Sequence, residues 1–238
     1  MKTKLVLISA VLVALCTSCV IEGWDNAVSG DGNVVTETRD ISGFTGVQAS
    51  SGVDVFLTEG DFKVEVVADA NLHEIIRTEL EGGSLIVKTR QGIRNATSKK
   101  VYVSLPELKR LSISSAGDCT GETPFHCENL EINVSSAGDL DLEVYAKEIA
   151  IDISSSGDVK LSGETGNLHA NLSSAGDLSA FDLKAETAKV VVSSAGDARV
   201  CASRELDLSA SSAGNIYYTG DAQVVRTQTS SAGDIIRK

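Results

Sequence analysis

A five-residue phrase, SSAGD or a close variant, recurs along the chain from Ser114 to its C-terminal end. The seven copies begin at Ser114, Ser135, Ser154, Ser173, Ser193, Ser211 and Ser230. Successive copies are separated by 21, 19, 19, 20, 18 and 19 residues. A period near 20 residues is typical of a solenoid, in which each unit covers the apolar face of its neighbour. This repeat constrains the fold more than any other feature of the sequence.

Apolar residues alternate on both sides of each phrase, which indicates strands with one face turned inward. Ile149, Ile151 and Ile153 precede one copy, and Val159 and Leu161 follow it. About 20 residues can complete one small coil and begin the next roughly 4.8 Å higher. The pattern predicts an all-β right-handed parallel β-helix, because parallel crossovers are usually right-handed. A left-handed helix usually shows hexapeptide spacing, which is absent, and a β-propeller needs units about twice as long.

The chain divides into four predicted parts. These are a signal peptide (residues 1–18), a flexible tether (19–40), a less regular β-rich region (41–112) and the SSAGD-repeat β-helix (113–238). In the third part, ASSGVDVFL (Ala49–Leu57) is interpreted as a degenerate first copy of the repeat. The segment Asn71–Leu80 has apolar residues at helical spacing, which favours a short helix or a lateral flap.

The N-terminal segment has the pattern of a bacterial lipoprotein leader. Lys2 and Lys4 precede an apolar stretch from Leu5 to Leu15, and small residues then lead to Cys19. We predict that Cys19 is lipidated and holds the protein in the outer membrane, facing the periplasm or the cell surface. An ordinary signal peptide cleaved nearby is the alternative. The formal net charge of -12 opposes binding to nucleic acid and to anionic membranes.

Three cysteines follow Cys19 in the sequence: Cys119, Cys127 and Cys201. Cys119 and Cys127 are close enough in sequence to bridge a loop. Alternatively, Cys119 and Cys201 fall at or beside positions that other repeats fill with apolar residues, where a buried free cysteine acts as a small hydrophobic side chain. No cluster of cysteine and histidine indicates a zinc site.

The SSAGD phrase has a structural and a functional interpretation. As a corner, its glycine is expected to supply a positive φ, its acidic residue to bond nearby amides, and its second serine to keep the inward parity of the strands. As a site, the stacked acidic residues would form a column that binds a cation such as calcium, or another ligand. The candidate residues are Asp118, Asp139, Asp158, Asp177, Asp197 and Asp234, with Asn215 in the same column. One carboxylate per coil supplies few of the oxygens that calcium needs, and no cofactor is expected.

The sequence shows no catalytic constellation. His73, His126 and His169 are scattered without an obvious acid–base partner, and the repeated serines lack a nucleophile motif. We predict a non-enzymatic adhesion or ligand-binding module, with a glycan or a surface protein as its partner. Tyr217 is expected to face outward and Tyr218 inward. The alternatives are a glycan-active enzyme of the polysaccharide-lyase kind and a purely structural envelope protein.

Several longer motifs together resemble a known bacterial family. They are FTGVQASSGVDVFL, GGSLIVKT, VYVSLPELKRLSISSAGD, the serial SSAGD units and GNIYYTGD near the end. From about Ile41 onward the chain resembles the putative auto-transporter adhesin, head GIN domain family, known from lipoproteins of Bacteroidota. The resemblance implies a β-helical envelope protein, secreted or lipid-anchored, and it offers no catalytic residues to carry over.

Overall fold

The computed structural model describes residues 27–238, which form nineteen strands, one three-residue 3₁₀ helix and no α-helix. The strands are β1 (Val28–Ser29), β2 (Val34–Arg39), β3 (Gly46–Ala49), β4 (Asp54–Glu59), β5 (Lys63–Asp69), β6 (Ile76–Glu81), β7 (Ser84–Thr89), β8 (Ile93–Asn95), β9 (Lys99–Leu105), β10 (Arg110–Ile113), β11 (Asp118–Gly121), β12 (Phe125–Val134), β13 (Asp139–Ile153), β14 (Asp158–Leu172), β15 (Asp177–Val192), β16 (Asp197–Ser211), β17 (Asn215–Thr219), β18 (Gln223–Ser230) and β19 (Asp234–Arg237). The 3₁₀ helix spans Ala70–Leu72.

Strands β10 to β19 build a solenoid of stacked parallel coils. Asp139 of β13 lies opposite Asp158 of β14, and Asp158 lies opposite Asp177 of β15, so each of these coils advances by 19 residues. With the coils of the N-terminal region the solenoid has about seven turns. The predicted parallel β-helix is therefore confirmed, and its right-handed sense stays a prediction from the crossover rule.

The core consists of apolar columns that run along the solenoid axis. Ile132, Ile151 and Ala170 occupy one column, at equivalent positions of three successive coils, and all three are buried. The same continuous set of buried side chains extends from Phe44 to Ile216 and so joins the N-terminal region to the repeats. Alternating inward residues therefore stabilise the coils by burying apolar area from one coil to the next.

Each SSAGD phrase forms a tight corner with the φ signature of a type I′ turn. In the copy that begins at Ser135, Ser136 and Ala137 have φ values of 52° and 58°, and the Gly138 amide donates to the Ser135 carbonyl at 3.1 Å. Neighbouring corners are joined by backbone hydrogen bonds, such as that from the Ala137 amide to the Ser155 carbonyl at 3.1 Å. A left-handed conformation costs a non-glycine residue about 1–2 kcal/mol. These bonds between coils help to offset that cost.

The expected roles of the corner glycine and of the second serine are wrong. The glycine has no positive φ in any of the seven copies, since the two residues before it take that conformation. Gly138 is buried, and a Cβ atom there would come within 2.9 Å of the Ile113 side chain and 3.2 Å of its carbonyl. Glycine is therefore needed for the close approach of the preceding coil. Ser136 is exposed, because the turn directs it outward.

The N-terminal region closes one end of the solenoid with antiparallel strands. The coil of β3 and β4 lies between the coil of β7 and β9 and that of β10 and β11. After β4 the chain therefore adds a coil on the cap side, and from β10 onward it adds coils on the opposite side. β5 pairs antiparallel with β9 and with β2, and β6 pairs antiparallel with β7. We call β2, β5 and β6 the cap. It satisfies backbone groups that an open solenoid end would expose.

Two predictions for this region are wrong. The segment Asn71–Leu80 is not a helix, since only Ala70–Leu72 is helical and β6 begins at Ile76. Pairing of β6 with β7 buries Ile76 and leaves Leu80 exposed, so sheet contacts override the helical spacing. The part of the predicted tether within the described residues contains β1 and β2. β2 is rich in β-branched residues and pairs along its whole length with β5.

The far end of the solenoid is formed by β18 and β19. Within residues 27–238 these strands pair only with the coil beneath them, β18 with β16 and β19 with β17. Arg237 of β19 donates to the carbonyl of Gly220 at 3.1 Å, which attaches the last strand to the preceding loop. None of the helices between residues 27 and 238 has the length and apolarity to cross a membrane.

Candidate functional site: an acidic ladder

The predicted column of acidic residues exists as a single line of residues along the solenoid. Pairing of successive strands places each member directly opposite the next. The members predicted from the sequence are Asp118, Asp139, Asp158, Asp177, Asp197, Asn215 and Asp234. The structure adds Asp54, which lies opposite Asp118 on the other side. We call these eight residues the acidic ladder.

Asp54 was missing from the prediction although the sequence contains its signal. The phrase SSGVD, which begins at Ser50, was interpreted as a degenerate first copy, and its acidic residue occupies the ladder position. Here glycine stands third and valine fourth in the phrase. Ser51 and Gly52 both have a φ of 65°, so the corner keeps the left-handed pair although the order of residues differs. Aligning this phrase with the repeats on its acidic residue, rather than on its glycine, identifies Asp54 as a member of the ladder.

One half of the ladder is held by hydrogen bonds. The Asp197 amide donates to the Asp177 carboxylate at 2.8 Å, and the Asn215 side chain donates to the Asp197 carboxylate at 2.9 Å. Arg199 approaches the other oxygen of Asp197 to 3.3 Å. Asp177, Asp197 and Asn215 are half-buried. In this half the negative charge is compensated by donors within the chain.

Another three successive members of the ladder are uncompensated and face water. The carboxylates of Asp118, Asp139 and Asp158 are exposed, and none of them has a hydrogen bond or an ion pair with another of the residues that the structure describes. Partial burial and the charges of Asp118 and Asp158 raise the pKa of Asp139 above its ordinary value. Three successive coils therefore present like charges at the spacing of neighbouring strands, about 4.8 Å.

A second outward column runs parallel to the ladder, two residues further along each strand. It consists of Tyr102, Phe56, Thr120, Asp141, Lys160, Ser179, Arg199, Tyr217 and Ile236. Lys160 and Asp141 form an ion pair at 2.8 Å. The ladder and this second column together form the surface that we call the ladder face.

Aromatic rings stand at both ends of the ladder face. At the cap end Phe56 and Tyr102 stack with ring centroids 4.9 Å apart, and the Lys100 ammonium lies 5.3 Å from the Phe56 centroid. At the other end the cationic groups of Arg199 and Lys238 lie 5.4 and 4.9 Å from the Tyr217 centroid. Tyr217 thus faces outward as predicted. Tyr218 is half-buried and packs against the core, as its predicted inward position requires.

The ladder does not assemble a compact metal site. Among residues 27–238, no group of three or more histidine, cysteine or acidic side chains is arranged to hold a metal ion. Calcium takes six to eight oxygen ligands around one centre, whereas the ladder distributes one carboxylate to each coil. Calcium binding to the ladder stays a prediction from the sequence.

All three cysteines within the described residues carry free thiols. Cys119 lies in the inward column between Val55 and Leu140, and its burial raises its pKa. Burial, with nearby Glu59 and Glu107, raises the pKa of Cys127 to about 11. The bridge between Cys119 and Cys127 that the sequence allowed is therefore not formed. Because the pKa values of Cys119 and Cys127 are raised, these thiols form little of the reactive thiolate.

The three histidines remain apart, as predicted, but each lies near a glutamate, a partner that the sequence did not indicate. His126 pairs with Glu59, its Nδ1 2.9 Å from the carboxylate, and stacks on Tyr145 with centroids 5.2 Å apart. His169 lies 3.9 Å from Glu148, and His73 is buried under the cap. The predicted lipidation site, Cys19, lies outside the described residues.

Three solved structures share the fold over nearly the whole chain. A putative adhesin from Bacteroides fragilis has a TM-score of 0.82 at 18% identity, with 89% of this chain and 100% of that chain covered. A putative lipid binding protein from Parabacteroides distasonis has a TM-score of 0.75 at 23% identity, with 89% and 99% covered. A putative adhesin from Parabacteroides merdae has a TM-score of 0.71 at 17% identity, again with 89% and 99% covered.

Identities of this size establish a shared fold and nothing more. No curated protein matches the chain by sequence. The family described as "Putative auto-transporter adhesin, head GIN domain" matches residues 43–222. This match covers the β3-to-β17 body of the solenoid, including all of the corners except the last, and the chain therefore belongs to that family.

Proposed function

We propose that the protein is a lipid-anchored adhesin of the cell envelope, which binds an extended glycan on the ladder face without chemical turnover. Membership of an adhesin family supports a non-enzymatic adhesion role and a place at the cell envelope or surface. We further propose that the ligand is a glycan, that it binds the ladder face, and that a lipid anchors the protein.

The observation that carries the proposal is the ladder face itself. Its ladder column repeats an acidic group from coil to coil, and a polymer with a regular repeat can match such a column along its length. The exposed carboxylates of Asp118, Asp139 and Asp158 can accept hydrogen bonds from sugar hydroxyls. Phe56 and Tyr102 offer apolar ring surface at one end.

The charge of this face selects among glycans. Uncompensated carboxylates on three successive coils repel a polyanion, since like charges a few ångströms apart are unfavourable unless they are well screened. A neutral, hydroxyl-rich polymer meets no such repulsion. We therefore propose a neutral glycan, with divalent cations as an optional bridge rather than a required cofactor.

The test is binding of the full chain, solubilised in detergent, to a panel of immobilised neutral and acidic glycans. A triple variant, Asp118→Asn, Asp139→Asn and Asp158→Asn, should weaken binding to the neutral glycan about 10-fold or more, which corresponds to about 1.4 kcal/mol. The matched control changes three exposed acidic residues outside the ladder that form no ion pair with another described residue: Asp61→Asn, Asp221→Asn and Glu205→Gln. Equal losses in both triple variants would contradict the proposal, because they would show a general charge effect.

The anchor has a separate test. Cys19→Ser should abolish incorporation of labelled fatty acid and release the protein from the membrane fraction. Cys16→Ser, which changes the other cysteine of the leader, should leave both unchanged. Retention of the label in Cys19→Ser would contradict lipidation at that residue.

A further inference from the structure

The cap contains a cavity. It has a volume of about 560 Å³ and lies where β2 approaches the loop before β6. Three of its lining residues are arginines, Arg39, Arg77 and Arg90, and a fourth is the buried His73. None of them belongs to the ladder face. We call this space the cap cavity.

Unpaired polar atoms concentrate around the cap cavity. In the part of the chain that the structure describes, four buried side-chain nitrogen or oxygen atoms lack a hydrogen-bond partner. Three of the four belong to residues that line this cavity: Arg39 Nε, His73 Nδ1 and Arg77 Nε. Buried polar groups in folded proteins are rarely left unpaired, because each one costs desolvation free energy. Two of the three are arginine Nε–H donors, and an acceptor bound in the cavity would pair them.

His73 is fixed in place by its other ring nitrogen. Its Nε2 lies 3.2 Å from the carbonyl oxygens of both Val35 and Ala68, so Nε2 carries a proton and donates. The ring is 5% exposed, and its Nδ1 is directed toward Glu37, 3.4 Å from that carboxylate. The imidazole thus joins β2 to β5 with one edge and presents the other edge to a residue that also lines the cavity.

The charges around the cap cavity are unevenly paired. Glu37 binds Arg39 at 2.8 Å, whereas Arg77 and Arg90 form no ion pair with any other described residue. The Nε–H groups of Arg39 and Arg77 are donors, so the missing partner is an acceptor. Guanidinium groups match the geometry of oxyanions. Asp40 and Glu74 also line the cavity, and their negative charges oppose a ligand with several charges.

We propose that the cap cavity binds the carboxylate of an acidic sugar, with Arg77 and Arg90 as its main ligands. A carboxylate carries a single negative charge, which suits a cavity with two unpaired arginines and acidic neighbours. The volume falls within the range of small-molecule sites, and Thr38 and Thr78 line it with hydroxyl groups that can bond the sugar ring. The inference goes beyond the ladder face, because it concerns another surface and the opposite preference for ligand charge.

The test is titration of the full chain in detergent with galacturonate, with galactose as the neutral match. We expect galacturonate to bind at least 10-fold more tightly than galactose. Arg77→Gln should weaken galacturonate binding about 10-fold to 100-fold. Arg90→Gln should also weaken it, and because the Arg90 side chain is exposed, this change removes no core packing. Arg204→Gln is the matched control, since Arg204 is exposed on β16 and pairs with Glu186.

Titration with inorganic phosphate tests whether the bound oxyanion is a sugar carboxylate or a phosphate. Binding of phosphate in preference to galacturonate, with the same dependence on Arg77, would overturn the acidic-sugar assignment. Equal binding of galactose and galacturonate, or an Arg90→Gln variant with unchanged affinity, would also overturn it. The triple ladder variant should bind galacturonate normally, so failure of the ladder-face proposal and failure of this one are distinguishable.

Discussion

The repeat coils and the cap bury similar apolar side chains but are held together by different kinds of pairing. Between β12 and β16 every strand pairs in parallel with the equivalent strand of the next coil, and the corners repeat one turn. In the cap, β2, β5 and β6 are antiparallel and none has an equivalent elsewhere. The repeats therefore distribute stability evenly, whereas the cap places three unpaired buried polar atoms beside one cavity.

The regular and the irregular regions suit different kinds of function. Stacked copies of one corner place the same kind of side chain on successive coils, and the acidic ladder is the result. A specific pocket needs side chains that differ from those of neighbouring coils, and the irregular cap supplies them. Three of the four buried polar residues among residues 27–238 lie in this region, Asp69 and His73 in or beside the cap and Ser84 in the adjoining strand β7. The fourth, Thr165, lies in the repeat strand β14.

The largest test of the comparison is deletion. Removing Ser154–Leu172, one complete coil of 19 residues, should leave a folded protein, because Ser173 then follows Ile153 at the equivalent position. The expected loss is about 1–3 kcal/mol, at 0.05–0.15 kcal/mol per residue. Removing β5 should abolish folding, since its buried Val64, Val66 and Ala68 join β2 to β9. Circular dichroism and urea unfolding measure both, and an unfolded coil-deletion variant would contradict the solenoid view.

A smaller effect is expected at the glycines. Gly196→Ala in a repeat corner should lower the free energy of unfolding by about 3 kcal/mol, because its Cβ would lie 2.5 Å from the Gly176 carbonyl oxygen. Gly82→Ala, in the turn between β6 and β7, has open space around the Cβ but a φ of +57°. It should lose only about 1 kcal/mol from backbone strain. Chemical denaturation of both variants provides the measurement, and the reverse ranking would refute the close-approach role of the corner glycine.

The third test exchanges the residues of two corners. Ala137 has a φ of 58° and Gly52, at the equivalent place in the first corner, has a φ of 65°. Ala137→Gly should stabilise the protein by about 0.5 kcal/mol, since glycine adopts this conformation without strain but gains entropy when unfolded. Gly52→Ala should destabilise it by about 1 kcal/mol. Thermal unfolding should show a higher melting temperature for Ala137→Gly and a lower one for Gly52→Ala. Shifts of both melting temperatures in the same direction would mean that another contact dominates at one corner.

The smallest effect concerns charge on the ladder. The raised pKa of Asp139 means that the folded state binds this proton more tightly than the unfolded state, so the charged group destabilises the fold near neutral pH. Asp139→Asn should therefore increase stability at pH 7 by about 0.5 kcal/mol or less, given solvent screening at an exposed site. The gain should shrink as the pH falls through the raised pKa and as salt is added. Asp177→Asn, which replaces the charged acceptor of the Asp197 amide by a weaker neutral one, should show no such gain.

How much the sequence predicts differs between the two regions. The inward columns, the coil length and the ladder followed from alternation and period, because parallel stacking of equal units leaves few alternatives. The positive φ was assigned to the wrong corner residue, since composition alone does not show that the preceding coil excludes a Cβ at Gly138. The cap was least predictable. The apolar spacing of Leu72, Ile76 and Leu80 suggested a helix, and only pairing with β7 made it a strand.

The order of amino acids is sufficient to predict the solenoid, its period and the line of aspartates along one face, because those features depend on local alternation repeated at a constant spacing. Three other features follow from the folded chain alone: which corner residues take the left-handed conformation, how β2 and β5 close the end, and the grouping of Arg39, His73 and Arg77 around one cavity. These outcomes depend on contacts between segments that are distant in sequence, and a pattern read along the chain does not contain them.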